Sequence, residues 1–327
     1  MSFWQDGIAK LTVPTPFAVG DVNMYIVKGE KLTLIDAGPK TEEAWDGFKL
    51  QLSILGLTPD DIEQVVLTHH HPDHVGLLDF LPDDIDVYGH PYCEQWINRD
   101  EHFNSMHDEF YGGLFRKFGI MGDMEKMLKV MKSPLKYSCH RPLAGVLKEG
   151  GAIPGMAGWT VYETPGHAQS HLSFYHEGTG VLIAGDHILA TISSNPLIEP
   201  PYTPGDERPR PQLQYNESLK KMLKLPISKV YTGHGTEVAK VGPLVERRLK
   251  KQHDRAMQVK GMIAEESKTV FEICKELFPA VYERELGLTI SETAAQLDYL
   301  LSIGEAAVSE VEGVQYFSAI KPGGISS

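Results

Sequence analysis

The sequence has few cysteines, no long apolar run and a deficit of positive charge. Cys93, Cys139 and Cys274 are the only cysteines among 327 residues, and they lie far apart and outside any CxxC pair. Neither a disulfide framework nor a thiolate zinc site is therefore expected. The N-terminus lacks a basic segment followed by an apolar run, and no stretch approaches the ~20 apolar residues that a membrane span requires. These absences predict a soluble cytoplasmic protein that does not associate with membranes.

Acidic residues outnumber basic ones, 44 to 31, which gives a formal net charge of −13. The excess is largest towards the C-terminus, where residues 253–327 contain 12 acidic and 6 basic residues, so nucleic acid is not the expected partner. Residues 220–252 are the exception, because nine Lys and Arg residues are accompanied only by Glu237 and Glu246. Such a run is either a solvated helix surface or a site for the anionic part of a small-molecule substrate.

Short β-rich runs alternate with helical patterns through the first two thirds of the chain. In residues 41–55, Trp45, Phe48 and Leu52 recur at helical spacing, and Gly56 follows as a stop signal. Interleaved strands and helices predict an α/β or α+β fold. The predicted strands cover residues 23–27, 32–36, 64–68, 85–89, 159–164, 171–175, 180–186 and 229–233.

Residues 93–137 interrupt this alternation. The segment is helical in pattern, rich in methionine and aromatic residues, and contains no convincing strand. One interpretation is a helical insertion whose apolar face packs on the core, which is the usual role of an apolar stripe at helical spacing. The other is a lid or substrate pocket, since Met-rich surfaces adapt to apolar ligands. The two interpretations are compatible.

The last third of the chain predicts a small helical unit. Three helices are expected after residue 244, and two of them start at a capping box, in which a Thr is followed by a Glu three residues later. The two predicted boxes are Thr269 with Glu272 and Thr289 with Glu292. Residues 306–319 then predict a β-hairpin. Three helices followed by a hairpin are typical of a winged helix.

Histidine and aspartate residues cluster directly after predicted strands. The string THHHPDH at residues 68–74 supplies four side chains that can bind a metal, namely His69, His71, Asp73 and His74. The strings TPGH, AGDH and YTGHG each end a predicted strand and add His167, Asp186 and His234. Imidazole and carboxylate ligands suit Zn²⁺, with Fe or Mn as alternatives, and the absence of Cys argues against a closed structural zinc site.

This series resembles the motif of the metallo-β-lactamase-fold hydrolases, HxHxDH followed by a His, an Asp and a His, over roughly residues 10–240. The resemblance implies an α+β fold, a four-layer αββα sandwich with two metal ions at one edge. In the family, the residues that match His69, His71 and His167 hold the first metal, those that match Asp73, His74 and His234 hold the second, and the match of Asp186 bridges them. Asp36 matches a family Asp that lies behind the metals, and it is expected to orient ligands.

Hydrolases of this fold with an appended winged helix continue past the last metal-binding His into a small helical domain, as this chain does after His234. The resemblance therefore implies two domains. Residues 1–243 are predicted to form the catalytic domain, with the helical insertion at about 93–137. Residues 244–327 are predicted to form a winged-helix-like domain.

The resemblance also implies a reaction. Two Zn²⁺ ions lower the pKa of a bridging water, so a hydroxide is the expected nucleophile, and Asp73 and Asp186 serve catalysis by holding the metals. His187 is either a proton donor or oxyanion partner, or a packed loop histidine. The flavin-linked di-iron oxygen reductases of the family carry Glu where this chain has His71, and one class of β-lactamases carries a Cys ligand where it has Asp186. These differences favour a hydrolytic site over a redox site.

The implied substrate is a small ester, a lactone, or a thioester of the hydroxyacylglutathione type, as in the glyoxalase II branch. One alternative is a phosphodiesterase or endoribonuclease, because some winged-helix members of the family act on RNA. Another is a persulfide dioxygenase, which keeps the same histidines but uses one iron. A homo-oligomer is compatible with the sequence.

Overall fold

Two β-sheets lie at the centre of the protein in a computed structural model that describes residues 4–321. The larger sheet contains, in chain order, β1 (Trp4–Gln5), β2 (Ile8–Val13), β3 (Val22–Lys28), β4 (Leu32–Ile35), β5 (Gln64–Val66), β6 (Asp86–Gly89) and β7 (Gly145–Val146). The smaller sheet contains β8 (Ala152–Ile153), β9 (Met156–Glu163), β10 (Leu172–His176), β11 (Val181–Ile183) and β12 (Lys229–Tyr231). Strands β4 to β7 are parallel, as are β11 and β12, and the other neighbours are antiparallel. All eight predicted strands are present.

Alternate residues of each strand are buried on opposite faces, because successive side chains in a strand point to opposite sides. On β2 and β3, Leu11 and Met24 belong to an apolar cluster on the outer face of the larger sheet. Their neighbours Ile8 and Tyr25 belong to a second cluster, which joins the two sheets and includes Phe174 of the smaller sheet. The two sheets therefore pack face to face, and the larger one is buried on both faces.

Helices cover the outer faces of both sheets. The helices are α1 (Glu42–Ile54), α2 (Pro72–Val75), α3 (Pro91–Asn98), α4 (Glu101–Lys117), α5 (Met124–Lys132), α6 (Pro211–Met222), α7 (Val241–Met262), α8 (Val270–Leu277) and α9 (Leu286–Ser302). Helix α1 packs Phe48 and Leu52 on the larger sheet, and α6 and α7 pack Leu219 and Leu244 on the smaller one. This arrangement confirms the predicted α+β class and the four layers. Within residues 4–321, no helix is long and apolar enough to cross a membrane.

The segment 93–137 is helical, as predicted, and contains most of α3, all of α4 and α5, and a short 3₁₀ turn. Many of its apolar side chains are buried, although Met121 and Val130 are exposed, and this burial supports the packing interpretation. Phe115 of α4 lies in one apolar cluster with Ile273 of α8 and Leu297 of α9, and Met131 of α5 packs against the same cluster. The insertion therefore shares a core with the C-terminal helices.

The C-terminal region contains the predicted helices and hairpin in the predicted order. The hairpin consists of β13 (Ala306–Val311) and β14 (Val314–Ala319), and its two turn residues, Glu312 and Gly313, both have positive φ, which fits a tight two-residue turn. The proposed boundary at residue 244 falls inside α7. That helix packs Val245 on the smaller sheet and Val259 in the C-terminal core, so a single helix belongs to both parts.

One of the two predicted capping boxes is wrong. The box at Thr269 is present, because its Oγ1 accepts from the Glu272 amide at 3.2 Å and the Glu272 carboxylate accepts from the Thr269 amide at 2.8 Å. Helix α9 instead begins one turn earlier than predicted, at Leu286. Thr289 is inside it, where its hydroxyl donates to the Glu285 carbonyl at 3.0 Å. The extra turn contains Gly287, a poor helix former that gave no signal of a helix.

Replacing Thr269 with alanine should lower the free energy of unfolding by about 1 kcal/mol, because the amide of Glu272 loses its acceptor at the start of α8. Thr269→Ser is the matched control, since it keeps the capping hydroxyl and should unfold like the wild type. Urea unfolding followed by circular dichroism measures both. Equal losses in the two variants would show that the methyl group, and not the cap, stabilises the helix.

Candidate metal centre

All seven predicted ligands lie in the connections between strands at one edge of the sandwich. His69 and His71 follow β5, and Asp73 and His74 lie in the short helix α2, which starts with Pro72. Proline is favoured at the first helical position because its missing amide would be unpaired there anyway. The other three ligands follow or precede strands of the smaller sheet, namely His167, Asp186 and His234. Since β11 and β12 are parallel neighbours, the loops after them emerge side by side.

Three histidines form the first cluster. The ligand atoms of His69, His71 and His167 all lie within 4.8 Å of one another. His69 Nε2 is 3.0 Å from His71 Nδ1, so His69 and His71 use different ring nitrogens to face the same point. The rings of His71 and His167 meet edge to face, with their centroids 4.6 Å apart. The cluster matches the first metal site that the resemblance implies.

A second cluster contains Asp73, His74 and His234, whose ligand atoms also lie within 4.8 Å of one another. Asp186 lies between the two clusters. Its Oδ2 is 3.5 Å from His167 Nε2 in the first cluster and 3.4 Å from His234 Nε2 in the second. Its Oδ1 is 3.5 Å from His74 Nε2. Asp186 is thus placed where a carboxylate could bridge two ions.

Several polar atoms in this centre are buried without a hydrogen-bond partner among the residues that the structure describes. They are the Nε2 atoms of His74, His167 and His234, and Oδ1 of Asp186. A buried polar atom left unpaired costs about 1–3 kcal/mol, and four together are unusual in one site. Because all four face the space between the clusters, the residues fit metal ions. A donor set of imidazoles and carboxylates without thiolates suits Zn²⁺, Fe or Mn.

In four of these histidines, the ring nitrogen Nδ1, which faces away from the clusters, contacts an oxygen atom. His74 Nδ1 lies 2.9 Å from Asp36 Oδ2, and Asp36 also accepts from the Thr68 amide and hydroxyl. The Nδ1 atoms of the remaining three each lie within 3.0 Å of an oxygen, namely Thr68 Oγ1 for His69, the Asn195 carbonyl for His167 and the Asp21 carbonyl for His234. Such contacts fix the tautomer that leaves Nε2 free to bind a metal. The contacts of Asp36 agree with its predicted orienting role.

The electrostatics of the centre favour neutral histidines in one cluster and positive charge in the other. Burial lowers the pKa values of His71 and His167 to about 4, so both rings are neutral at pH 7 and have a free lone pair. Burial also lowers the pKa of His234, but Asp186 and Asp73 outweigh it and raise that pKa to about 10. The carboxylates therefore stabilise a positive charge in the second cluster. Either a proton on His234 or a bound metal ion can provide that charge.

His187 is not part of either cluster. Its ring is fully buried, packs edge to face on Tyr215 with centroids 5.3 Å apart, and lies 6.1 Å from the ring of His171. Burial lowers its pKa to about 3. This environment favours the packed loop histidine over the proton donor. His171 itself supports the centre, because its Nε2 accepts from the Asp186 amide at 3.1 Å.

Two residues of the centre were not recognised in the sequence. Glu199 is buried, and its Oε1 lies 3.4 Å from His70 Nε2 and 3.7 Å from His71 Nε2. Burial raises its pKa to about 8. Residues 197–202 read LIEPPY and carry no motif, and His70 has no counterpart at the other strand ends, so neither residue gave a signal. Only the fold brings Glu199 to the histidines.

The basic segment 220–252 is less available to a ligand than its count of charges suggests. Arg248 is buried and donates to the carbonyls of Leu189 and Ile192. Three of the lysines form ion pairs, since Lys220 contacts Glu217 at 2.7 Å, Lys221 contacts Glu149 at 3.0 Å and Lys250 contacts Asp254 at 2.7 Å. Part of the segment therefore stabilises the fold, and the loop after Asp186 in particular.

The fold and the centre together correspond to a known family. A model of the metallo-beta-lactamase superfamily matches residues 18–234. The chain belongs to the metallo-β-lactamase superfamily, and it is a metal-dependent hydrolase.

Some similar proteins match nearly the whole chain and not only the residues that the family model matches. The probable metallo-hydrolase YqjP of Bacillus subtilis (strain 168) is 44% identical over 317 residues, which cover 97% of this chain and 99% of that protein. The metallo-beta-lactamase family protein TTHA1429 from Thermus thermophilus has a crystal structure that matches with a TM-score of 0.78 and 28% identity, covering 97% and 99% of the two chains. A beta-lactamase domain protein from Burkholderia ambifaria has the same fold, with a TM-score of 0.78, 22% identity and coverage of 97% and 93%.

Proposed function

We propose that this protein is a dinuclear zinc hydrolase of small esters, thioesters or lactones. The observation that carries the proposal is the pair of three-ligand clusters with the Asp186 carboxylate between them. A single structural zinc site would need four ligands around one point. Two clusters that share a carboxylate instead suit two neighbouring ions.

The roles of the side chains follow from this arrangement. His69, His71 and His167 would hold one ion, Asp73, His74 and His234 the other, and Asp186 both. Bound divalent ions supply Lewis acidity and lower the pKa of water, so a nucleophile is available at neutral pH without a protein base. Asp36 and Thr68 keep the rings of His74 and His69 oriented, and Asp73 and Asp186 supply the negative charge that the cations require.

A small substrate is favoured over nucleic acid. The C-terminal unit, which we propose to be a winged-helix-like domain at 244–327 next to the catalytic domain at 1–243, is acidic, with 12 acidic and 6 basic residues in 253–327. A domain with a net negative charge repels the phosphate groups of nucleic acid. An anionic group on a small substrate remains compatible, because Arg247 and Lys251 lie on α7, outside the ion pairs described above.

A cytoplasmic location is part of the same proposal. Cys93, Cys139 and Cys274 are all unpaired and buried, which suits a reducing compartment. Burial raises the pKa values of Cys93 and Cys139 to about 12, so both thiols are unreactive at neutral pH.

The test is metal analysis of the purified protein combined with a panel of thioester, lactone, ester, phosphodiester and β-lactam substrates. We expect two divalent ions per chain, hydrolysis of a thioester, lactone or ester, loss of activity with a chelator and recovery with Zn²⁺. One iron per chain with oxygen consumption on a persulfide would replace the proposal with a dioxygenase. Preferential cleavage of the phosphodiester would replace it with a phosphodiesterase.

A further inference from the structure

One segment without regular secondary structure contacts the metal centre from outside. This segment, residues 194–200, is called the strap here. The Ser194 hydroxyl donates to the Asp186 carbonyl, and the Asn195 carbonyl accepts from His167 Nδ1 at 3.0 Å. Glu199 then faces His71. The strap therefore contacts three of the seven predicted ligands, two of them in the three-histidine cluster.

His71 is oriented differently from the other four histidines of the centre. It faces the cluster through Nδ1, as its 3.0 Å contact with His69 Nε2 indicates, so its Nε2 points outward. The oxygen that faces this nitrogen is Glu199 Oε1, at 3.7 Å. A metal-binding histidine usually donates its outward ring N–H to a carboxylate, a backbone carbonyl or a water.

Glu199 is itself held firmly in this position. Its Oε2 accepts from the Gln169 amide at 2.8 Å, and His70 Nε2 is 3.4 Å from Oε1. His70 in turn lies 2.7 Å from Ser170 Oγ through Nδ1 and stacks on Trp96 at 4.4 Å. Only 3% of the Glu199 side chain is exposed. Burying a carboxylate is costly unless it is paired, and the pairing here is with histidines of the metal centre.

The strap is also held by hydrogen bonds from α3, α4 and α9. The Ile198 carbonyl accepts from the Tyr111 hydroxyl at 2.8 Å, and the Ile198 amide donates to Ser291 Oγ at 3.2 Å. The Tyr92 hydroxyl donates to the Pro200 carbonyl. Helices outside the sandwich thus determine where Glu199 lies.

We propose that Glu199 is a positioning residue of the three-histidine site, whose carboxyl group faces the Nε2–H of His71 at 3.7 Å and thereby favours the tautomer that directs the Nδ1 lone pair of His71 toward the metal. The proposal rests on the two-metal centre proposed above. His70, His71 and Glu199 also have ligand atoms within 4.8 Å of one another. A third ion bound there would need the lone pair of His71 Nε2, so this alternative excludes a proton on that nitrogen, and the number of bound ions separates the two.

The experiment compares Zn²⁺ affinities of the metal-free full-length wild type, Glu199→Leu and Glu199→Gln, measured by competition with a chromophoric chelator. Glu199→Leu should weaken one of the two sites by about 10–100-fold and change the other much less. Glu199→Gln should lose less affinity, because its amide oxygen can still face the Nε2–H of His71. Co²⁺ titration should show the altered site as a changed visible absorption spectrum. Glu292→Gln is the matched control, a buried glutamate that contacts Arg255 and Gln296, and should bind both ions like the wild type.

The outcomes separate this inference from the proposed function. If the wild type binds no Zn²⁺, the two-metal proposal itself fails. If the wild type and Glu199→Leu bind two ions with equal affinity, only the role of Glu199 is refuted. Three ions in the wild type and two in Glu199→Leu would make Glu199 a ligand instead. A merely structural role would lower the Tm of the metal-free protein, affect both sites alike and make Gln as harmful as Leu, and that result would also refute the proposal.

Discussion

Replacing Asp73 with alanine should reduce kcat by at least about 10³-fold, on the scale seen when one member of a catalytic unit is removed. Asp73 Oδ2 is 3.4 Å from His234 Nε2, and without that carboxylate the second cluster loses both a ligand and half of the negative charge that stabilises a cation at His234. The three-histidine cluster does not contain Asp73. The variant should therefore keep one ion per chain and a wild-type circular dichroism spectrum.

Asp108→Ala is the matched control for this experiment. Asp108 is a half-exposed aspartate of the insertion that pairs with Lys132 at 2.6 Å, and its loss should leave metal content and kcat unchanged. Metal content and steady-state rates on the substrate identified by the panel measure both variants. An Asp73→Ala protein with one ion and the wild-type rate would refute the need for a second metal.

The second large effect is expected when Gly233, which has no side chain, is replaced with alanine. A Cβ atom on Gly233 would overlap Asp186 Oδ1 and would lie 3.0 Å from His74 Cε1. Gly233 is also fixed by its backbone, since its amide donates to the Gly185 carbonyl at 2.7 Å and its carbonyl accepts from the Asn23 amide at 2.7 Å. The backbone cannot move away, so the Asp186 carboxylate has to shift. Gly233→Ala should thus impair both metal sites and lower kcat by about 10²-fold or more, the loss that a misplacement of about 1 Å causes.

Gly242→Ala is the control, because a Cβ at that position in α7 meets nothing within 4 Å. It should retain full activity, and it should be slightly more stable, as alanine is the better helix former. The two alanine variants are compared by metal content, kcat and Tm. If Gly233→Ala retained two ions and normal activity, the carboxylate of Asp186 would not need its present position, and its bridging role would be wrong.

The candidate ligands could be proposed from the sequence because each lies next to a strand that the sequence marks clearly. A β-rich run followed by His or Asp fixes both the residue and its place at a sheet edge, and the HxHxDH spacing identifies the family. The layers of the sandwich were expected from the resemblance to the family, whereas the alternation of strands and helices alone predicted only an α/β or α+β fold. Met24 is buried and lies in the predicted strand 23–27, whereas Leu11, which is buried on the same face, lies in β2, a strand that was not predicted.

The features that escaped prediction depend on contacts between distant parts of the chain. Glu199 lies near His71 only because Tyr111 and Ser291 hold the strap in place. No local sequence pattern indicates these long-range contacts. Arg248 was counted among surface charges, although the fold turns it inward onto the carbonyls of Leu189 and Ile192. The start of α9 was misplaced because tertiary packing added a turn that local propensity does not favour.

Helix α7 packs on both the sandwich and the C-terminal unit, so the unfolding of one should be coupled to the unfolding of the other. Its first half is buried on the smaller sheet through Val245, and its second half is buried in the C-terminal core through Val259. Local unfolding of the C-terminal unit alone would have to break this helix in the middle and expose the apolar face of the insertion, including Phe115. The hydrophobic cost of such a partly unfolded state disfavours it, so the catalytic sandwich and its C-terminal helices should denature in one cooperative transition.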